Sequence, residues 1–326
     1  MCIRVRATPP AQGVGALQSE TNPMSPAPGP SRFAELPPEV TTPLPAIEAY
    51  LARVLEHLDA PRSLRGAMRY ATLDGGKRLR PLLVWHACAA AGASGEAGLP
   101  GAAAVELVHC FSLVHDDLPA LDNDDLRRGR PTLHRHAGEA MAILAGDALL
   151  NHAYRVLAGE LPAGVFGAAA RELSWACEQM IAGQVLDTLG FDGEPDAGAL
   201  SPESRLEAIH RGKTGAMLVA SLRIGAVCAG GGPVLTHLTE YGRDIGLMFQ
   251  IVDDLLDVTQ SAEHLGKRSG KDLGAGKLTY PGVLGVERSR DLVGALRVRA
   301  LAALSDLGPA AEPLRLLAEY FAVRTR

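Results

Sequence analysis

The stretch GAAAVELVHCFSLVHDD, Gly101 to Asp117, decides the fold. Its apolar residues at Val105, Val108, Phe111 and Val114 recur at the spacing that lines one face of a helix. That face ends at Asp116 and Asp117, so an apolar helix delivers two carboxylates at its far end. Three more aspartates, Asp122, Asp124 and Asp125, follow within the next few residues. Like charges this close repel unless something cationic sits among them.

The same helical spacing runs through LPAIEAYLARVLEHL (44–58), SLRGAMRYATL (63–73), GEAMAILAGDALLNHAYRVLA (138–158) and AGVFGAAARELSWACEQMIAGQVLDTLG (163–190). It returns in LTHLTEYGRDIGLMFQIVDDLLDVT (235–259), around 291–305 and in 312–323. Breakers fall at Gly75-Gly76, Pro100-Gly101, Pro195, Gly230 to Pro233 and Gly274 to Gly276. No alternating strand pattern of useful length is present. The expected class is all-α: long helices in one bundle around a central cavity. Residues 1–44, rich in Pro and Gly, bury too little apolar surface to offset ordering and are expected to form a disordered tail. Residues 45–326 are then expected to form a single all-α domain. Met24 is a candidate start.

Hydrophobic residues make up 47% of the 326, enough for a large core, whereas aromatics are only 4%. The net charge is −5 with basic residues scattered, which argues against a nucleic-acid partner. The five cysteines, Cys2, Cys88, Cys110, Cys177 and Cys228, show no zinc-ligand spacing and read as reduced thiols. Neither a signal peptide nor an uninterrupted apolar run of membrane-spanning length is evident, so a cytoplasmic location and no membrane span are expected.

A second acidic cluster lies in FQIVDDLLDV, where Asp253 and Asp257 stand four apart and share a helix face. Its apolar flanks place it near the core, where charges need partners. In the first cluster Asp116 and Asp122 are six apart, off one face of a regular helix, but Pro119 between them interrupts the hydrogen bonding and can bring Asp122 back. Both clusters offer only oxygen, which suits Mg²⁺ or Mn²⁺. Mg²⁺ completes its shell with water and phosphate oxygens, so two acidic patches sharing ions through one polyphosphate is a sound design. Basic groups accompany them: Lys77, Arg78 and Arg80 behind Gly76, Arg127 and Arg128 after the first cluster, Lys213 with Thr214, and Lys267, Lys271 and Lys277 after the second.

GGKRLRP, DDLPALDNDDLRRGRPTLH, GDALL, GQVLD, KTGAM, FQIVDDLLDV and LGKRSGKDLGAGKLTYP follow one another in an order that resembles the trans-isoprenyl diphosphate synthases, bacterial farnesyl diphosphate synthases above all. The resemblance covers about residues 45–326. It implies an all-α homodimer that condenses isopentenyl diphosphate with allylic diphosphates by ionisation, condensation and proton loss. It implies that Asp116, Asp117, Asp122, Asp253, Asp254 and Asp257 hold about three Mg²⁺ ions. Gly76, Lys77, Arg80, His109 and Arg128 would bind isopentenyl diphosphate. Arg127, Lys213, Thr214, Gln250, Lys267 and Lys277 would lie near the allylic diphosphate, with Lys213, Thr214, Gln250, Lys267 and Asp253 in catalysis. His115, His134 and His136 have no such match and read as structural.

Phe111 precedes Asp116 by five residues, about 7.5 Å along a helix axis, and Ser112 by four. In the family a bulky side chain below the first motif stops chain growth, and an aromatic at this place combined with a two-residue insertion in that motif, here the four spacers Leu118 to Leu121, implies a C15 product, farnesyl diphosphate. Geranylgeranyl or geranyl diphosphate, or a partner-subunit role, are the alternatives. A His-Asp phosphohydrolase would leave the second aspartate cluster unexplained. A terpene cyclase would lack GGKRLRP.

Overall fold

The computed structural model describes residues 36–56, 58–73, 75–194, 197–263 and 278–324. Helices dominate: α1 (Pro38–Thr41), α2 (Leu44–Glu56), α3 (Arg62–Leu73), α4 (Leu79–Ala90), α5 (Leu99–Asp116), α6 (Leu133–Ala137), α7 (Glu139–Glu160), α8 (Ala163–Leu189), α9 (Pro202–His210), α10 (Ala216–Cys228), α11 (Val234–Glu263), α12 (Tyr280–Leu284), α13 (Val286–Ala303) and α14 (Glu312–Val323). The expected all-α class is what the chain adopts.

α5 is the central rod. From Pro100 to Val108 every residue is buried, and α4, α7, α10 and α2 pack around it. A helix covered on all sides has no polar face to spare. Gly95–Asp116 is therefore long and apolar enough by composition to cross a membrane, a feature the sequence reading did not expect, yet 72% of that window is buried in the bundle. Pro100 and Gly101 do not break the chain. They sit in the first turn of α5, where a missing N–H costs nothing. A Cβ at Gly101 would stand 2.5 Å from Ile224, so this glycine lets α5 and α10 approach closely.

Order begins earlier than expected. Within the span read as tail, Pro37 caps α1, Leu36 and Val40 are buried, and the Val40 carbonyl accepts a hydrogen bond from His86 Nε2 at 2.9 Å. Four residues with prolines in the first turn need little entropy to fix. Residues 1–35 lie outside the described residues.

Arg78 ties three helices together. Its side chain, 0% exposed, donates to Glu48 and Glu106 at 2.6 Å each and to the Thr72 carbonyl at 2.7 Å. The sequence reading grouped Arg78 with phosphate-binding residues; the structure makes it a buried clasp of α2, α3 and α5.

Candidate active site

α5 stops where Pro119 forbids another helical turn. Asp122 N–H then donates to the Asp116 carbonyl at 2.9 Å, and Asn123, at φ 51°, donates to Leu118 O. The break thus folds Asp122 back onto Asp116, as the spacing around Pro119 led us to expect. Asp117 is buried at 3% exposure and takes a two-pronged contact from Arg127, with Nε–Oδ1 at 2.8 Å and Nη2–Oδ1 at 2.6 Å. Asp116 is half-buried and Asp122 exposed. Burial raises the Asp116 carboxyl to about 6; Lys213 opposes the shift and Asp122 adds to it.

Arg127 reaches Asp117 because of a small hairpin absent from the sequence reading. Strands β1 (Leu126–Arg127) and β2 (Arg130–Pro131) pair across Arg128-Gly129, with both central residues at positive φ, 54° and 77°. That is the geometry of a two-residue hairpin turn, which Asn-Gly usually signals and Arg-Gly does not. The turn sends the Arg128 guanidinium to the Gly75 carbonyl. A Cβ on Gly76, itself at φ +116°, would meet that guanidinium at 2.6 Å. The positive φ favours glycine at residue 76, and a side chain there would also push the Arg128 guanidinium from its place.

Arg80 and His109 complete this basic corner. His109 is driven well below its ordinary pKa by burial and then by Arg80 and Arg128, so it is a neutral imidazole. Arg80 Nε is buried with no protein partner among the described residues. An orphaned guanidinium donor beside a second arginine and an uncharged imidazole is suited to an anion.

Lys213 and Thr214 stand on a π-helical turn, Arg211–Gly215, between α9 and α10. Such bulges turn side chains off the regular helical path. Lys213 Nζ donates to Asp187 Oδ2 at 2.6 Å, and Thr214 Oγ1 donates to Gln250 Oε1 at 3.1 Å. Asp187 closes the GQVLD motif and is a functional candidate that the residue list above lacked. Gly183, one helical turn earlier, makes room for the π-turn: its Cβ would lie 2.2 Å from Lys213 N. Lys213 acts electrostatically on Asp116 while Thr214 holds Gln250, three residues before Asp253. One hydrogen bond thus joins the π-turn to α11 three residues before the second cluster, and the Lys213 charge faces the first cluster from the same turn.

In the second cluster Asp253 is half-buried and its carboxyl is raised by burial, with Arg324 and Lys77 opposing. Arg324, just after α14, donates to Asp253 Oδ1 at 2.5 Å and to the Phe249 carbonyl at 2.8 Å. Lys77 Nζ reaches the Tyr320 hydroxyl of α14 at 3.1 Å. Neither contact is legible in sequence, because Arg324 is 71 residues from Asp253 and Tyr320 is 243 from Lys77. Asp254 is turned another way: it is buried, accepts from Tyr280 N–H at 2.9 Å and lies 3.6 Å from His210 Nε2. Asp257 is exposed. Among the described residues no closed cage of three ligating side chains is formed. Lys267, Lys271 and Lys277 lie outside the described residues.

Phe111 is buried and meets the His115 ring edge-on at 4.9 Å; the Ser112 hydroxyl donates to the His109 carbonyl at 2.9 Å. Cys88, Cys110 and Cys177 are buried free thiols and Cys228 a partly covered one.

Residues 61–299 match the family described as polyprenyl synthetase. The chain belongs to that family. A geranylgeranyl pyrophosphate synthase of Catharanthus roseus chloroplasts is 44% identical over 273 residues, 81% of this chain and 74% of its own. The large subunit 1 of a heterodimeric geranylgeranyl pyrophosphate synthase from Arabidopsis thaliana is 45% identical, covering 82% and 74%. Among solved structures, an FPP/GFPP synthase from Zymomonas mobilis superposes with a TM-score of 0.73 at 35% identity, covering 87% of this chain and 98% of its own. A geranylgeranyl pyrophosphate synthetase from Pyrococcus horikoshii superposes with a TM-score of 0.77 at 29% identity, covering 88% and 97%. This member of the polyprenyl synthetase family is a prenyltransferase with the all-α isoprenoid-synthase fold.

Proposed function

We propose that this prenyltransferase condenses isopentenyl diphosphate with allylic diphosphates, dependent on Mg²⁺, and releases geranylgeranyl diphosphate, C20, as its main product. The observation that carries the reaction is the π-turn: Thr214 on it is hydrogen-bonded to Gln250, three residues before Asp253, and the Lys213 charge beside it acts on the Asp116 carboxyl. The C20 length is supported by the names of the curated relatives. Phe111, bulky and buried one helical turn before the first cluster, favours a second reading in which growth stops at C15, farnesyl diphosphate.

The acidic residues fit a hard divalent cation. Their donors are all oxygen, and the Asp116 carboxyl, held up near 6 by burial and crowding, gains from any cation that relieves it. Asp116, Asp117 and Asp122 on one side and Asp253 and Asp257 on the other would hold the ions, with Asp254 contributing only on leaving Tyr280. When bound, Mg²⁺ neutralises charge that develops on the leaving diphosphate. Lys213 is held by Asp187 at short range and adds its positive charge there without reorganisation. Thr214 and Gln250 fix each other, so either can orient a diphosphate oxygen. Arg80, Arg128 and neutral His109 bind the diphosphate of isopentenyl diphosphate, leaving its double bond to attack the allylic carbon. Attack leaves a cation on the isopentenyl unit; a C–H bond beside it breaks, its electrons form the product's new double bond, and the proton passes to the departed diphosphate. Buried Phe111 and its neighbours keep water from the cation.

The test is chromatographic analysis of the products that purified protein makes from isopentenyl and dimethylallyl diphosphate with Mg²⁺. A C20 main product supports the first reading and C15 the second. No condensation with any allylic primer would instead favour a partner subunit.

A homodimer is part of the same proposal. Ile181, Val185 and Leu189 recur every four residues along α8 and are 43–74% exposed, and Ile143 and Leu144 of α7 are exposed as well. Regularly spaced apolar residues left in water on a pair of long helices suit a second copy of the chain.

A further inference from the structure

His115 lies between Phe111 and Asp116 and takes no part in the reaction described above, yet its ring is held on two sides. Its Nε2 stands 3.1 Å from the Ile143 carbonyl of α7. A carbonyl only accepts, so Nε2 is the donor of this hydrogen bond. The edge contact to Phe111, with an interplanar angle of 73°, is the preferred geometry for two aromatic rings one helical turn apart. The place for the imidazole exists because residue 146 is glycine. A Cβ there would fall 2.1 Å from His115 Nε2 and 2.4 Å from Cδ2. The ring is therefore bracketed by α7 on one side and Phe111 on the other, in the seam where α5 and α7 pack.

We propose that His115, seated in the gap left by Gly146, is a positioning residue that holds the Phe111 ring and thereby helps to set product length. The proposal rests on the reading of Phe111 as a wall of the product channel. A side chain that stops a growing apolar chain must resist being pushed aside, and a lone Phe on a helix can change rotamer. With the His115 ring against it and α7 behind that ring, the Phe111 ring has less room to yield.

Three variants test this by the distribution of product lengths, read beside the rate of the first condensation. In His115→Ala the space behind Phe111 opens, and the ratio of products one C5 unit longer to the wild-type product rises roughly tenfold, the scale at which apolar pockets discriminate small size differences. The first condensation changes little. Gly146→Ala drives the imidazole toward Phe111 and shifts products shorter. Adding Gly146→Ala to His115→Ala has no further effect, because the methyl enters the space the ring has left. An unchanged length distribution in His115→Ala overturns the proposal. Phe111→Ala measured alongside identifies which claim failed. A shift there with none in His115→Ala removes only the support; no shift in either removes Phe111 as the wall.

Discussion

Arg78 and Arg80 share one basic run, two residues apart, and the structure divides their work. Arg78, at φ 51°, points into the bundle and meets Glu48, Glu106 and the Thr72 carbonyl. Arg80 keeps a buried Nε without a protein partner. Removing one member of a buried charge cluster leaves the others unpaired, at a cost of about 3–5 kcal/mol. Arg78→Met is thus expected to lower the denaturation midpoint sharply. Arg80→Met should leave that midpoint nearly unchanged and raise KM for isopentenyl diphosphate at least tenfold; equal loss of stability in both would contradict the division. Asp116 offers a second contrast. Burial raises its folded pKa to about 6, above the unfolded value. Ionising it therefore opposes folding: the penalty is absent below the unfolded pKa, grows as pH rises and is complete above about 6. With EDTA at pH 8, Asp116→Asn should be more stable than the parent, by on the order of 1–2 kcal/mol, while losing activity. The gain should vanish below pH 4.

At the scale of elements, the long helices were legible because apolar spacing at three and four residues is a local property of the chain. The fold-back of Asp122 was legible for the same reason: Pro119 acts on its own neighbours. The π-turn at Arg211–Gly215 was not, because it depends on contacts across the bundle, with Gly183 lying against the Lys213 backbone. The 126–131 hairpin and the contacts of Arg324 with Asp253 were hidden likewise; each joins residues whose sequence neighbours carry no matching signal. A Cβ at residue 183 would press on backbone that cannot yield as a side chain tip can. Gly183→Ala should therefore displace the π-turn and reduce kcat by about a hundredfold, the cost of a misplacement near 1 Å. The proposed isopentenyl diphosphate site, built on other elements, should hold its KM. Unchanged kcat in steady-state assays would show that the turn has slack.

At the scale of the molecule, α5 organises the protein: its middle is the core, its end carries the first aspartates, and its last turns hold Phe111 and His115. Ile181, Val185 and Leu189 form an exposed apolar stripe on α8 that the core does not explain. Val185→Asp should convert a dimer to a monomer at micromolar concentration in light-scattering measurements, and a monomeric parent protein would sink the dimer proposal. The central claim, that two acidic clusters and the basic groups joined to them drive prenyl transfer, is tested most directly by supplying purified protein with labelled isopentenyl diphosphate, dimethylallyl diphosphate and Mg²⁺ and resolving the products by chain length. The account predicts Mg²⁺-dependent elongation that ends mainly at C20. Absence of any elongated product, or elongation undiminished by EDTA, would contradict it.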